Sequence, residues 1–166
     1  MNPAFQPEAW HDFYVMVGGA AAALTGLIFV AVSLHLRPVL RDPWHRGRAG
    51  SSLLALMCAL MISGAVLIPG QTLLALGAEV VVIALVSPAY SARGILHLPR
   101  AHRLRRSGEL LAGLIGASLA IAAGGSLIAG TGPGLWLLLP GGVIALATSV
   151  WNAWRLMVDL AAEERS

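Results

Sequence analysis

The sequence predicts an all-α integral membrane protein, a single bundle of five transmembrane helices over residues 1–166. Three observations carry that prediction. The 166 residues are 57% hydrophobic and 11% charged, whereas soluble domains carry roughly a quarter charged residues, so too few ionic side chains exist to cover a water-facing surface. Five stretches reach the length of about 20 apolar residues that the hydrocarbon of a bilayer demands. All the basic residues are arginine, and all but Arg155 and Arg165 fall in two segments between apolar stretches. This is juxtamembrane charge rather than a nucleic-acid surface. The composition excludes an ordinary cytosolic enzyme, a disordered tail and a disulfide scaffold, for Cys58 is the single cysteine.

The first span runs over about 13–36, with no ionisable residue before His35. Its flank lacks a basic leader and its apolar run exceeds that of a signal peptide, so it reads as retained. The second and third spans, about 51–68 and 71–90, are parted by Pro69-Gly70; the fourth and fifth, about 110–129 and 135–157, by Gly130-Thr131-Gly132-Pro133-Gly134. Proline lacks a donor and glycine tolerates tight turns, so both breaks read as hairpin turns. The layout loosely suggests a duplicated hairpin. Pro140-Gly141-Gly142 within the fifth span and Pro88 near the end of the third read as packing kinks.

Arginine also predicts the orientation. Segment 37–50 holds Arg37, Arg41, Arg46 and Arg48, and segment 91–108 holds Arg93, Arg100, Arg103, Arg105 and Arg106. Residues 1–12 and both hairpin turns hold none. The positive-inside rule then puts the two loops and the carboxyl terminus in the cytoplasm and the amino terminus outside, in a bacterial inner membrane. Trp10, Tyr14 and Trp136 fall at the outer edge of that frame, and Trp44, Tyr90, Trp151 and Trp154 at the inner edge.

Small residues allow helices to approach closely in lipid. Gly18, Ala22 and Gly26 share a face of the first span, and Gly113, Ala117, Ala120 and Gly124 mark the fourth. Two readings are open: the two helices form the tight centre of a monomeric bundle, or one stripe lines an oligomer interface or a narrow pore.

Glu79 is the ionisable residue deepest within a span, about 12 Å below the boundary at Gln71 on helical geometry. Such a group is costly and marks an ion or proton site by default; Thr72, seven residues earlier, shares its face. The plainer alternative is a protonated carboxyl bonded to a neighbouring helix carbonyl or to Ser63. Glu8, His11 and Asp12 have helical spacing and form a partial metal half-site, against the alternative of an exposed helix start. Arg100, Arg103, Arg105 and Arg106 form a polybasic run suited to anionic lipid. No catalytic motif stands out: Gly124-Gly125-Ser126 only faintly resembles a nucleophile turn, with no histidine in the interior of a span to act as base. No cofactor is expected.

The aromatic entry Trp10-His11-Asp12-Phe13-Tyr14, followed by Gly18-Gly19-Ala20-Ala21-Ala22-Ala23-Leu24-Thr25-Gly26-Leu27-Ile28-Phe29-Val30-Ala31-Val32-Ser33, resembles small multi-pass bacterial membrane proteins with a first span of this type. Some of these are described as modulators of a membrane protease. The resemblance covers the first fifth of the chain and implies no catalytic residue.

The leading expectation is a non-enzymatic protein that passes or senses a small cation or proton through its bundle, with Glu79 as the site and the first span's small residues beside it. The alternative is an accessory or regulatory protein that docks a partner by its helices or its arginine-rich loops. A lipid-directed intramembrane enzyme is a third class. Expected partners are membrane lipids and a second copy or another membrane protein, not nucleic acid.

Overall fold

A computed structural model describes residues 3–34, 36, 43–96 and 107–163. It is all-α and 91% helical. Two 3₁₀ turns, Pro3–Phe5 and Pro7–Trp10, lead into α1 (His11–Leu34). Helices α2 (Pro43–Val66) and α3 (Leu73–Leu96) follow, then α4 (Ser107–Ala129), a 3₁₀ turn at Gly134–Leu137, and α5 (Leu138–Glu163). Five stretches are long and apolar enough to cross a membrane: Pro7–Leu34, Ala49–Val66, Leu73–Tyr90, Leu111–Ala129 and Gly134–Arg155.

The helices are longer than the apolar spans. α2 starts eight residues before the expected boundary at Ser51, and α3 continues past Tyr90 to Leu96. Hydropathy marks where a chain would leave hydrocarbon, whereas a helix stops where its backbone loses its bonds or meets a breaker. Pro88 is therefore an interior residue of α3 rather than a near-terminal one, and it lacks the N–H that would bond the Ala84 carbonyl. Pro140 changes role in the opposite sense. It lies in the first turn of α5, where amides have no intrahelical acceptor, so it interrupts nothing.

Packing gives a ring. α2 touches α3 and α5, and α4 touches the same two helices from the other side, with α3 against α4 as the closest pair. α1 lies outside the ring, against α2 and more lightly against α5. The expected tight centre between the first and fourth spans is thus not a principal contact; each packs on a different neighbour. The reason is visible at single glycines. A Cβ on Gly124 would lie 2.7 Å from the Gly77 carbonyl oxygen, and one on Gly77 would lie 2.6 Å from the Gly124 carbonyl oxygen. The α3 and α4 backbones touch there, and only glycine permits it. Gly18 likewise lets α1 approach α2, with Ser63 Cβ 3.1 Å from where its own Cβ would be.

Burial runs by size rather than by hydrophobicity. Among the described residues alanine is the commonest buried type, including Ala21, Ala59, Ala84, Ala117 and Ala123, whereas Leu27, Phe29, Leu74, Val82, Leu111 and Trp154 project outward. Exposed large side chains beside a small-residue interior suit a lipid surround, in which close backbone contact drives association.

One end of the bundle is tied together by the amino terminus. The Pro3–Phe5 turn packs on the Gly134–Leu137 turn, where Gly134 has φ 54° and a Cβ would collide with the Ala4 carbonyl oxygen. Trp10 is buried and donates Nε1–H to Pro3 O at 2.9 Å. Its ring meets Trp136 edge-on at 4.7 Å, with Phe13 and Tyr14 beside it. Trp10 and Tyr14 are accordingly packing residues; Trp136 is exposed. Ser126 closes the neighbouring turn, donating to Thr131 O at 2.5 Å and accepting from Gly134 N–H at 2.9 Å. That bonding gives it a structural role in place of the faint nucleophile pattern.

Candidate functional site

Two features could carry function: a groove on the flank and a cavity inside the ring.

The flank groove holds Glu79. It is open-sided, formed by Met61 and Ala65 of α2, by Ile68 in the turn after it, and by Ala78, Val82 and Ile83 on α3. Gln71, in the turn before α3, reaches back and donates Nε2–H to Glu79 Oε2 at 2.7 Å. Thr72 does something else: it is exposed, and its hydroxyl accepts the Ala75 N–H at 3.3 Å as the cap of α3. The expected Glu79–Thr72 stripe is thus replaced by a Glu79–Gln71 pair, and Ser63 points elsewhere. Gln71 was legible as a polar residue next to a turn, but its eight-residue reach along the chain follows no helical spacing.

The cavity measures about 100 Å³ and is walled by all four ring helices, with Phe13, Tyr14 and Val17 of α1 closing one side. Small residues create it. Gly113, Gly116, Ala117 and Ala120 of α4 face Gly141, Gly142 and Ala145 of α5. Neither Gly113 nor Gly116 would find an atom within 4 Å of an added Cβ. Ala117 and Gly124 are buried and Gly113 is exposed. The α4 stripe therefore divides, Gly124 packing on α3 while Gly113 and Ala117 line a void.

The polar groups at that void are unevenly served. Thr148 donates to Ile144 O at 2.7 Å and the Cys58 thiol lies 3.7 Å from Ile83 O. Tyr14 and Ser63 are 2% and 1% exposed, and neither hydroxyl has a hydrogen-bond partner among the described residues. Buried hydroxyls are seldom left so. Sequence reasoning passed over both; Tyr14 appeared as an edge aromatic and Ser63 as a partner for Glu79.

The α1 stripe splits too. Gly18 is buried against Ser63, but Ala22 and Gly26 are exposed, and Gly26 has open space around it. With Gly19 and Ala23 they form a small-residue face on the outside of the bundle. Inward positions are taken by Ala21, Thr25 and Ile28, Thr25 donating back to Ala21 O at 2.7 Å. Glu79 and this face stand on different helices that are not a principal pair, so the expected adjacency of the two is not observed.

At the amino-terminal end, Glu8 belongs to the 3₁₀ turn, where its carbonyl accepts the His11 N–H, while the His11 ring makes an exposed 3.2 Å contact with Asp12. Among the described residues, no group of three or more His, Cys, Asp or Glu could hold a metal. Arg100, Arg103, Arg105 and Arg106 lie outside the described residues. At the end opposite the hairpin turns, Arg46, Trp151, Trp154 and Arg155 are exposed, above a polar seam of buried Ser52, Ser149 and Asn152 between α2 and α5.

No protein-family model, curated protein or solved structure matches this chain.

Proposed function

We propose that this chain is a non-enzymatic multi-pass protein of a bacterial inner membrane that acts by lateral association, its α1 face meeting a second copy. In this reading the amino terminus is outside and the arginine-rich ends of the helices are cytoplasmic, as the arginine distribution supports. One observation carries the proposal: the features that join helices in lipid lie on the outside of the bundle. Gly19, Ala22, Ala23 and Gly26 are exposed along α1, a small-residue face of the kind that lets two backbones approach. Glu79 also sits on a flank, in the α2–α3 groove, where a carboxyl in hydrocarbon gains from a helix that covers it. This favours the accessory class over permeation through one bundle, since Glu79 is not among the residues that line the interior cavity.

Two assays on the purified chain in liposomes separate these readings. Energy transfer between differently tagged copies is expected to rise with protein-to-lipid ratio and to fall to the random-encounter level in Ala22→Leu/Gly26→Leu. Proton and cation flux is expected to match empty liposomes. Energy transfer at the random level in the wild type would remove the proposal. Flux that disappears in Glu79→Gln would put ion permeation in its place.

A further inference from the structure

We infer that the interior cavity is a binding site for a small, uncharged amphiphile. Such a molecule would carry one oxygen to Tyr14 and Ser63 and lay its apolar body among the glycines and alanines of α4 and α5. Four observations converge on that class. The cavity, about 100 Å³, is somewhat below the roughly 150 Å³ that accommodates benzene in an engineered core, so a molecule of no more than about six heavy atoms suits it. Its wall is mainly Ala and Gly, with no Asp, Glu, Lys, Arg or His among the lining residues, so a charged ligand would be buried without a counter-ion. Its two hydroxyls without partners stand near one end, Tyr14 in the first turns of α1 and Ser63 in the last turn of α2. The remaining polar side chains, Thr148 and Cys58, already face backbone carbonyls. The wall also includes exposed Gly113, where a solute dissolved in the membrane could enter.

The arrangement is an apolar slot whose wall includes Tyr14 and Ser63 near one end, both with hydroxyls buried and without partners among the described residues. A carbonyl or alcohol oxygen accepts from both, removing the cost of two buried hydroxyls left unbonded. Water alone would satisfy the hydroxyls but would leave most of the slot facing apolar carbon.

The test uses the full chain in detergent micelles and two fluorinated probes of equal length, 4-fluorobutan-1-ol and 1-fluoropentane, followed by ¹⁹F NMR. The alcohol is expected to bind wild type saturably, about tenfold more tightly than the alkane, given two modest hydrogen bonds. Tyr14→Phe/Ser63→Ala should erase that tenfold preference. Gly116→Leu, which fills the slot, should abolish saturable binding of both probes. Non-saturable partitioning identical in all variants would overturn the site. Equal affinity for the two probes, or a preference that survives the double substitution, would overturn the role of the hydroxyls. Tyr14→Phe/Ser63→Ala removes only two oxygen atoms, so it still decides the matter should Gly116→Leu fail to fold.

Discussion

Helices α1 and α4 carry the same device in sequence and use it in opposite directions. Along α4 the small residues turn inward: Gly124 meets the Gly77 backbone, and Gly116 and Ala117 wall a cavity. Of Gly18, Ala22 and Gly26 along α1, Gly18 turns inward, while Ala22 and Gly26 face out. Small residues at helical spacing mark a surface that permits close approach. They do not say what approaches it, and here the answers are a backbone, a void and the surroundings of the bundle.

Substitutions along this contrast should differ widely in effect. Gly124→Leu is expected to cost most, about 3 kcal/mol or more, because the added carbons have no space between α3 and α4; unfolding in graded SDS should show it. Gly18→Leu should cost about 1–3 kcal/mol by the same assay, since Ser63 and Leu60 are side-chain neighbours that can yield somewhat. Ser126→Ala removes the hydroxyl that bonds Thr131 and Gly134. It should cost about 1 kcal/mol and loosen the α4–α5 turn to proteolysis from the amino-terminal side. Gly26→Leu should leave unfolding within about 0.5 kcal/mol of wild type, as expected for an exposed site, while reducing energy transfer between copies. A loss of stability in Gly26→Leu comparable to that in Gly124→Leu would erase the distinction between the two helices.

The same contrast defines what could be read in advance. The five spans were legible because transfer into hydrocarbon depends on composition over about 20 residues, which the sequence states directly. The two hairpin turns were legible from Pro69-Gly70 and from Gly130 to Gly134, where Gly70, Gly130, Gly132 and Gly134 adopt positive φ. The rotation of each helix about its axis was not legible. In a soluble protein the polar face points outward, but here both the exterior and the interior are apolar, so Leu27 outside and Ala21 inside differ in size rather than in polarity. For that reason the choice between packing inside the bundle and an outer interface stayed open for Ala22 and Gly26, which face out, whereas Gly77, which makes the closest crossing, drew no notice. Glu79 stood out because a carboxyl in an apolar run is costly wherever it faces. Its partner Gln71 depends on a turn conformation, and the unbonded hydroxyls of Tyr14 and Ser63 depend on a void that no residue spacing encodes.

The most direct test of lateral association is cross-linking between copies in native membranes, with single cysteines placed along α1 in a Cys58→Ser background. Gly19→Cys, Ala22→Cys and Gly26→Cys are predicted to give dimers with a short bifunctional maleimide, and Val17→Cys and Ala21→Cys, on the buried face, to remain monomeric. Uniform or absent cross-linking along the helix, with the reagent shown to reach Gly26→Cys, would contradict the account.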